Sequence, residues 1–487
     1  MNGNGRTSDV DLDVVIVGAG IGGISAAYYI GQMEKYSYGI FEAREALGGT
    51  WSSFTYPGIR SDSDMFTLSF PFNPWNKSNT VAEGGEILEY IEETAKKFGI
   101  DKKIVYGHTA TNMDWSSKDQ RWTSEFKKTD GSSIVVTSRF VVVATGYFDH
   151  NEAYFPDLPK KELFKGPIIH PQFWPKGVDY ENKTVAVIGS GATAISIVPH
   201  MADKAKLVTM VQRSPTYITS RSRVDPAAQW LLKLLPLKLA SIILFLFYEL
   251  ETTIMFFTYK IFPNYGRRVL QNYVKKQLPP NVPLDPHFVP KYKPFDERLC
   301  WVLEDDLFVS MREGKAAVVT GHIKQLTSGG IEMQDGQFVP ADIIVQATGL
   351  KCKFLGGAKI RIDGKKLNLG DTFFYRGMML DGVPNGIALQ GYLSTSSWTL
   401  GVVQTCEYFC DLLKKMEKEG YRQVTPIAGP EVKATTEPFP MTSGYLMRAL
   451  DQMPKVADGL VWRHHLDPIV DWLDMKFNRR YQSLEFK

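Results

Sequence analysis

The stretch from Leu12 to Gly23, LDVVIVGAGIGG, determines the fold expected for the first part of this 487-residue chain. A short apolar run rich in β-branched residues leads directly into a glycine-rich turn, which predicts a buried strand followed by the start of a helix. Gly18 permits the turn, Gly20 lets a pyrophosphate approach the backbone, and Gly23 lets the helix lie close to the strand. The phosphate then sits at the helix N-terminus. The residues predicted to contact the nucleotide are Gly18, Gly20, Ile21, Gly22 and Gly23.

A second strand and an acid follow at the spacing of a βαβ unit. The run GIF at residues 39–41 ends at Glu42, nineteen residues after Gly23. A carboxylate at this position binds a ribose hydroxyl, whereas the alternative for Glu42 is a surface carboxylate. The acid and the glycines together predict a dinucleotide site in the first 150 residues.

The same arrangement recurs in the middle of the chain. Thr184–Ile188 (TVAVI) is another buried-strand pattern, and the sequence GSGATA follows it, so we expect a second dinucleotide. Beyond the next strand, Leu207–Val211, Arg213 and Ser214 stand where an NAD-selective protein presents an acid. A guanidinium and a hydroxyl suit a 2′-phosphate, which predicts NADPH; an exposed arginine without a ligand is the alternative. The residues predicted to contact this nucleotide are Gly189, Ser190, Gly191, Ala192, Thr193, Ala194, Arg213 and Ser214.

Composition excludes several other classes of protein. The formal net charge is +3 and no basic run stands out, so nothing indicates a nucleic-acid surface. The four cysteines, Cys300, Cys352, Cys406 and Cys410, lack the density of a disulfide scaffold and the spacing of a zinc site, so no metal is expected. The polar N-terminus does not fit a signal peptide, and a cytoplasmic location is predicted.

The segment FKGPIIHPQFWP at 164–175 lies between the two nucleotide turns. From its residues alone, His170 is an imidazole among apolar neighbours, whose simplest role is to link two segments by hydrogen bonds at a domain junction. The pattern resembles the fingerprint of Baeyer–Villiger monooxygenases, flavoenzymes that insert one oxygen atom of O2 beside a carbonyl. The fingerprint residues are Phe164, Gly166, His170, Trp174 and Pro175.

Two further motifs, GGTW at 48–51 and YPGIRSDSD at 56–64, are similar to the flavin-contacting region of class B flavin monooxygenases. Within that class they resemble the ethionamide-activating subgroup. The resemblance implies that FAD fills the first site, with Thr50, Trp51 and Asp62 along the flavin, Ala110 as a further cofactor contact, and Arg60, Ser61 and Asp62 bordering the nicotinamide. Read as residues, Asp62 or Asp64 could instead cap a helix. The subgroup's GYTNASW is replaced by GYLSTSSW at 391–398, one residue longer, which puts local contacts in doubt.

Oxygen insertion beside a carbonyl requires a permanent cation near a buried anion, and arginine is the side chain that always supplies one. By the same resemblance, PFDERLC at 294–300 contains the arginine that holds the C4a-peroxyflavin, here Arg298, and Asp62 would orient it. Glu297 occupies a position where many family members carry lysine. The alternative for Arg298 is a structural salt bridge with Asp296 or Glu304.

The predicted fold class is α/β, with two Rossmann-like domains for FAD and NADPH, the second inserted into the first and carrying a helical insertion. Two apolar strands that end in Ala-Thr-Gly, at 140–146 and 343–349, bracket the second unit and support the insertion. The predicted boundaries are 1–150 and 344–487 for the FAD domain, 151–343 for the NADPH domain, and about 224–291 for the helical insertion.

The apolar segment at 230–262 has two interpretations. Charged residues interrupt it, and the longest uncharged run, Leu239–Tyr248, would rise about 15 Å as a helix, so a simple membrane span is not predicted. It could form a pair of helices packed on the protein over a substrate entrance, or an interfacial helix that makes peripheral membrane contact.

Four functions remain open from the sequence. The first is an NADPH- and O2-dependent Baeyer–Villiger oxidation of a ketone to an ester or lactone. The second is oxidation of sulfur or nitrogen, for example of a thioether. A flavin disulfide reductase would need a redox CxxC, which this sequence lacks. A non-enzymatic nucleotide sensor would keep the glycine turns but would have no use for Arg298 and Asp62.

Overall fold

The computed structural model describes residues 10–392, 396–435, 443–459, 461–465, 467–477 and 481–487. Within these ranges the chain forms two nucleotide-binding units, each built around its own sheet. Helices pack against both sheets, and a helical segment projects from the second unit. The predicted α/β fold class is therefore confirmed.

The first unit is built on a large mixed sheet. Its strands are β1 (Val10–Val17), β2 (Tyr38–Phe41), β3 (Ile104–Val105), β4 (His108–Ser116), β5 (Arg121–Lys128), β6 (Ser133–Val143), β19 (Lys359–Ile362), β20 (Lys365–Lys366) and β23 (Gly386–Ala388). β1 lies parallel to β2 on one side and to β6 on the other, and its residues 14–17 are buried on both faces. The C-terminal part of the chain returns to this sheet, because β23 pairs with β6 and β19 with β4.

The second unit contains a parallel sheet of Rossmann type. Its strands, in spatial order, are β13 (Ala316–Thr320), β10 (Leu207–Gln212), β9 (Thr184–Ile188), β17 (Ile343–Gln346) and β8 (Ile168–Ile169). A small antiparallel sheet adjoins it, formed by β14 (Ile323–Thr327), β15 (Gly330–Met333) and β16 (Phe338–Pro340). Because the whole of β17 belongs to this unit, a boundary after Gln346 fits the strand pairing better than the proposed one after residue 343.

Short ribbons connect and complete the units. The paired strands are β7 (Phe148–Ala153) with β18 (Leu350–Cys352), β11 (Ile218–Arg221) with β12 (Cys300–Leu303), β21 (Phe374–Tyr375) with β22 (Met379–Leu380), and β24 (Val424–Pro426) with β25 (Leu484–Phe486). The first of these ribbons is formed by the two chain crossings between the units, each directly after an Ala-Thr-Gly strand end. The second unit is thus inserted into the first, as predicted.

The helices surround the sheets and form the insertion. They are α1 (Ile21–Gly31), α2 (Thr50–Ser53), α3 (Met65–Leu68), α4 (Gly84–Lys97), α5 (Ala192–Ala202), α6 (Pro226–Leu234), α7 (Leu237–Ile261), α8 (Pro263–Gln277), α9 (Leu284–His287), α10 (Asp306–Arg312), α11 (Trp398–Glu419), α12 (Gly444–Met447) and α13 (Pro468–Phe477). Single 3₁₀ turns lie at Asp101–Lys103, Lys161–Leu163, Pro171–Phe173, Phe354–Gly357, Leu369–Asp371 and Leu450–Gln452.

The helix α7 is longer than the sequence suggested. The charged residues that interrupt its apolar run do not end the helix, which continues for 25 residues with a mean hydropathy of 1.7 over its most apolar window. Its length of about 37 Å would be enough to cross a bilayer. One such helix in the described part of the chain is weak evidence for a span, and α7 packs along α3, α6 and α8.

Candidate active site

The first glycine turn joins β1 to α1 and lies against the end of β6. Gly18 has a φ of +102°, and a Cβ added there would come within 2.7 Å of the Ala144 carbonyl oxygen. A Cβ on Gly23 would come within 1.9 Å of the Gly18 carbonyl oxygen. Both positions therefore require glycine: Gly18 because the backbone is left-handed there, and Gly23 because the helix lies directly on the turn.

The N-terminus of α1 is open toward a second glycine pair. Gly20 is the N-cap and provides no side chain, so the first amide groups of the helix, from Ile21 and Gly22 onward, have no capping partner. The Gly20 Cβ position lies 3.4 Å from the Cα of Gly49, whose own φ is +61°. Two backbones without side chains thus meet at a helix N-terminus, which fits a pyrophosphate group.

Glu42 lies where the predicted ribose-binding acid should be, at the end of β2. Its carboxylate is buried and accepts hydrogen bonds from the backbone amides of Ala19 (2.7 Å) and Arg44 (3.0 Å). Arg44 in turn donates to the carbonyl oxygen of Gly49 at 2.8 Å. Glu42 is therefore not a surface carboxylate, because it ties the first glycine turn to the GGTW turn.

The loop after GGTW docks on the second unit. Thr50 and Trp51 form the start of α2 and are half-buried. A Cβ on Gly58 would come within 2.4 Å of the Ser196 carbonyl oxygen on α5. The hydroxyl of Tyr56 shares a hydrogen bond with Thr193, and burial raises its pKa to about 12. A loop from the flavin unit therefore rests on the first turns of the helix that follows the second glycine turn.

The acids of this loop have separate roles. Asp64 is the N-cap of α3, accepting a hydrogen bond from the Thr67 amide at 2.9 Å, and it also pairs with Arg221 at 3.2 Å. The alternative reading of the two acids, helix capping, thus applies to Asp64. Arg60 pairs with Asp306 of the inserted unit at 2.6 Å. Ser61, the next residue of the loop, is buried.

Asp62 faces a group of arginines rather than a helix end. Burial raises the pKa of its carboxyl group, while the positive charges of Arg298, Arg60 and Arg221 act in the opposite direction, and the net shift is upward. Asp62 lies in the flavin unit, whereas Arg298 immediately precedes β12 in the inserted unit. The structure therefore brings together the two residues that were predicted to act as a pair, although 236 positions separate them.

Arg298 lies in a cleft that solvent reaches. It is exposed to solvent, although groups from both units lie close enough to act on its charge. Burial lowers the pKa of the guanidinium. The nearby groups Tyr147, Tyr445 and Asp62 together raise that pKa by more, so the net shift is upward. Asp296, one alternative partner of Arg298, pairs with Lys260 at 3.0 Å. Arg298 is a fixed cation in this cleft at every physiological pH.

Two tyrosines near Arg298, Tyr147 and Tyr445, were not recognised from the sequence. Tyr147 follows the first Ala-Thr-Gly strand end, and its ring stacks on Trp398 with centroids 5.1 Å apart. Tyr147 also shares a hydrogen bond with Tyr445, and burial raises the pKa of both phenols. Because Tyr147 directly follows the first Ala-Thr-Gly, the sequence could have indicated that it lies near the site. Tyr445, almost three hundred positions further on, has no sequence signal that points to this site.

The second glycine turn repeats the construction of the first. Gly189 has a φ of +139°, and its Cβ would come within 2.3 Å of the carbonyl oxygen of Ala347 in the second Ala-Thr-Gly. Gly191 is the N-cap of α5, and a Cβ there would meet nothing within 4 Å. Ala192, Thr193 and Ala194 form the first turn of α5. This helix end has an uncapped, open approach, which fits a second pyrophosphate.

Arg213 and Ser214 lie beside that turn, after β10. The Ser190 hydroxyl donates to the Ser214 carbonyl oxygen at 2.8 Å, which holds the two turns together. Arg213 is exposed, and its charge lowers the pKa of nearby Glu297, although burial raises that pKa more strongly. The predicted guanidinium is therefore available for a phosphate group, with a carboxylate close to it.

Two remaining predictions are less closely connected to these turns. Ala110 lies in β4 opposite Phe126 and packs half-buried against the core of the first unit, so its cofactor contact stays a prediction.

The segment GYLSTSSW lies partly outside the described residues, at 393–395, and its last residue, Trp398, begins α11. Cys406 and Cys410 are buried on α11, in agreement with packed thiols.

The fingerprint segment contacts both chain crossings. The Nδ1 atom of His170 accepts a hydrogen bond from the Gln172 amide at 3.1 Å, so the neutral ring carries its proton on Nε2 and donates it to the Gly349 carbonyl oxygen at 3.3 Å. The side chain of Gln172 donates to the Asp149 carbonyl oxygen at 2.7 Å. Burial lowers the pKa of His170, which favours the neutral ring. This matches the predicted linking role.

The other fingerprint residues pack the segment in place. Phe164 is buried in the core below β17, and Trp174 packs against the core of the second unit. A Cβ on Gly166 would come within 2.1 Å of the Asp342 carbonyl oxygen, so only glycine fits there. Pro175 is exposed and ends the segment.

Two nucleotide turns, the Asp62 and Arg298 pair and a fingerprint segment that links the units define the class of the molecule as an oxidoreductase with two dinucleotide sites. Residues 15–235 match the family model described as pyridine nucleotide-disulphide oxidoreductase. The chain is 42% identical over 455 residues to the FAD-containing monooxygenase EthA of Mycobacterium tuberculosis, covering 93% of this chain and 92% of that protein. It is 38% identical to the probable FAD-binding monooxygenase AlmA of Acinetobacter sp., covering 96% of this chain and 95% of that protein.

A solved structure has the same fold. An oxidized steroid monooxygenase bound to NADP superposes with a TM-score of 0.77 at 22% identity, covering 98% of this chain and 99% of that chain. The chain belongs to the family of FAD-containing monooxygenases that includes EthA, and it shares the fold of the NADP-bound steroid monooxygenase.

Proposed function

We propose that this enzyme catalyses Baeyer–Villiger oxidation, in which a ketone, O2, NADPH and a proton give an ester or lactone, water and NADP⁺. The observation that carries the proposal is Arg298, a permanent cation beside Asp62. An oxygen donor that attacks a carbonyl carbon acts as a nucleophile, and its anion is the stronger nucleophile. A guanidinium stabilises that negative charge and does not lose its own proton.

FAD supplies the activation of O2 and the oxygen-transfer chemistry when it is bound. The open N-terminus of α1, the side-chain-free approach between Gly20 and Gly49, and the buried carboxylate of Glu42 fit its pyrophosphate and adenosine portions. We assign Thr50, Trp51 and Asp62 to the flavin end, because their loop leads from this turn toward Arg298.

Arg298 and Asp62 have different tasks in this proposal. Arg298 stabilises negative charge on the oxygen donor and on the tetrahedral adduct of the substrate carbonyl. Asp62 positions the guanidinium, because it is the carboxyl group that acts on the charge of Arg298. The pair joins the two units, so their relative position determines where the cation lies.

NADPH is assigned to the second turn. The N-terminus of α5 binds its pyrophosphate, and Arg213 with Ser214 binds the 2′-phosphate. Arg60 and Ser61, whose loop also rests on α5, border the nicotinamide. The nearby carboxylate of Glu297 competes with the phosphate for Arg213, and we expect it to weaken the preference for NADPH over NADH compared with a lysine at this position.

The fingerprint segment is assigned a coupling role. It bonds to Asp149 and Gly349, one on each chain crossing, so the inserted unit cannot turn on its ribbon without disturbing these contacts. His170 remains neutral in this role and transfers no proton.

Oxidation of sulfur or nitrogen is the second candidate, and one observation favours it. The hydrogen-bonded phenols of Tyr147 and Tyr445 lie beside Arg298, and burial raises the pKa of both, so they remain protonated. Phenol groups that donate hydrogen bonds would favour a protonated, electrophilic oxygen donor, which attacks a thioether rather than a ketone. A Tyr147→Phe variant should therefore shift the product ratio from sulfoxide toward ester.

The experiment is a product analysis with the purified holoenzyme. NADPH and O2 consumption are followed with a simple ketone, with a thioether, and with no substrate, and the products are identified by mass spectrometry. Ester from the ketone supports the first candidate, and sulfoxide alone supports the second. An Arg298→Ala variant that forms ester at the native rate would refute the assignment of Arg298.

A further inference from the structure

The helix α7 is apolar on both sides, whereas an ordinary surface helix turns a polar face to solvent. Its inner stripe contains a buried acid, Glu249, whose pKa is raised by burial to about 7. Its outer face carries large apolar side chains with more than half of their surface exposed. These are Leu246 (59%), Phe247 (57%), Leu250 (53%) and Ile254 (56%).

Two neighbouring helices also expose large apolar side chains. On α13, Asp471 and Asp474 are buried, while Leu473 (46%) and Phe477 (70%) are exposed. On α6, Trp230 is 64% exposed. The hydroxyl of Thr253 on α7 donates to Asp467, the residue before α13, at 3.0 Å, so the start of α13 contacts α7. We call the outward side chains of α6, α7 and α13 the apolar surface. Soluble proteins rarely expose such a continuous set, and its presence indicates a partner.

The charges around the apolar surface identify that partner. Residues 226–284 contain seven lysines and arginines but only two acids, Glu249 and Glu251, although the whole chain has a net charge of only +3. Because Glu249 is buried, Glu251 is the exposed acid of this segment. Lys233 and Lys238 stand directly among the exposed apolar residues of α6 and α7. A basic rim around an apolar face is complementary to anionic headgroups above acyl chains.

We propose that the apolar surface docks on a lipid bilayer that contains anionic headgroups, with α7 lying in the interface rather than spanning the membrane. The inner stripe of α7 contacts protein along its length: Tyr248 stacks on Phe66 of α3 and donates to Asp225. A helix held in this way can present only one side to lipid. Lysine side chains at the rim extend toward phosphate groups while their aliphatic portions stay on the apolar surface.

A second copy of this chain is a poorer fit for the same surface. In a two-fold dimer the same patch meets itself, so each basic rim would face an identical rim, and like charges opposite one another disfavour association. The bilayer-facing helix also packs directly on α3, whose N-cap, Asp64, is two positions from Asp62. The docking side is therefore adjacent to the segment that carries part of the active site.

Vesicle flotation of the holoenzyme tests the proposal. Vesicles of phosphatidylcholine alone are compared with vesicles that also contain phosphatidylglycerol. The native enzyme should float with the anionic vesicles, and Leu246→Gln combined with Phe247→Gln should abolish flotation. Phe338→Gln is the matched control, because Phe338 is 53% exposed but lies on β16, away from α7, and it should float as the native enzyme does.

A second pair of variants tests the charges. Lys233→Gln and Lys238→Gln should each weaken binding to anionic vesicles about fivefold and leave binding to neutral vesicles unchanged. Failure of the native enzyme to bind either vesicle, or native-like flotation of the Leu246/Phe247 variant, would overturn the proposal. A native dimer in sedimentation that this variant dissociates, together with no flotation, would instead assign the surface to a second copy.

The readouts are separate from the proposed reaction. Bound FAD and NADPH oxidation with a water-soluble ketone should be unchanged in all four variants, since none of the substituted residues lies in the cleft. Loss of flotation with retained activity therefore tests the surface alone, and lack of ester formation by an enzyme that floats would count only against the proposed reaction.

Discussion

Asp62 and Asp64 stand two positions apart in the same loop, and we predict opposite effects when each is replaced. In Asp64→Ala the N-cap of α3 is lost, which costs about 1 kcal/mol, and Arg221, whose side chain is 10% exposed, loses its partner, which costs about 3 kcal/mol. The free energy of unfolding should fall by about 4 kcal/mol. Oxygenation per folded, FAD-loaded molecule should fall far less than in Asp62→Asn, because Arg60 still binds the loop to Asp306 of the inserted unit.

Asp62→Asn should show the reverse. Burial raises the pKa of this carboxyl group, so its ionised form destabilises the folded state at neutral pH, and an amide of the same shape removes that penalty. Arg298 remains accessible to water, which limits the cost of losing one counter-charge. The free energy of unfolding should therefore be unchanged or higher. Ester formation should fall about 100-fold, because the guanidinium is no longer held in position.

The pH dependence of stability has a definite sign. Below the ordinary aspartate pKa of about 4, Asp62 is protonated in both the folded and the unfolded chain, so the native enzyme and Asp62→Asn should have similar unfolding free energies. As the pH rises through the raised pKa of Asp62, the folded native enzyme retains a proton that the unfolded chain has lost, and its stability declines. The advantage of Asp62→Asn should therefore grow from acidic to neutral pH.

The assay combines urea unfolding, followed by circular dichroism at several pH values, with product analysis of the same preparations. NADPH oxidation without product should rise in Asp62→Asn, since reduction of the flavin does not require a correctly placed Arg298. If Asp62→Asn lowers the urea midpoint as far as Asp64→Ala does, or forms ester at the native rate, then Asp62 is a structural residue and its positioning role is refuted.

Three further predictions concern the joint between the units. Gly58→Ala places a Cβ 2.4 Å from the Ser196 carbonyl oxygen at a φ of +76°. We therefore expect a higher KM for NADPH and a free energy of unfolding in urea that is lower by about 2 kcal/mol. A variant as stable as the native enzyme would refute the close contact. His170→Asn removes the hydrogen bond to Gly349. Flavin reduction by NADPH, measured by stopped-flow absorbance, should slow, while the pH profile of turnover should stay the same. A shifted pH profile would indicate proton transfer by His170. Arg213→Ala should raise the KM for NADPH about 10- to 100-fold and leave that for NADH unchanged, and equal effects on the two would contradict a 2′-phosphate contact.

The parts of this structure that follow local rules were predictable from the sequence. The glycine turns, the strands before them and Glu42 depend on contacts within one βαβ unit, so their spacing carries the information. The Asp62 and Arg298 pair was found only through resemblance to a family, because no local rule connects residues on two units. Tyr445 was missed for the same reason. The length of α7 was underestimated because Glu249 was read as an interruption, whereas it points inward and hydrogen-bonds Ser396.

Arg298 and Asp62 come from different units, and the contacts around them connect those units. β12, which follows Arg298, pairs with β11 of the inserted unit, and the loop that carries Asp62 belongs to the flavin unit. The same loop is bound to the inserted unit on both sides of Asp62, by Arg60 with Asp306 and by Asp64 with Arg221. Because α5 supports this loop through Gly58, a nucleotide at the N-terminus of α5 acts on the surface that sets the distance between Asp62 and Arg298. We therefore expect nucleotide binding and the position of the cation to be coupled, so that oxygen transfer is favoured only while the nicotinamide nucleotide remains bound.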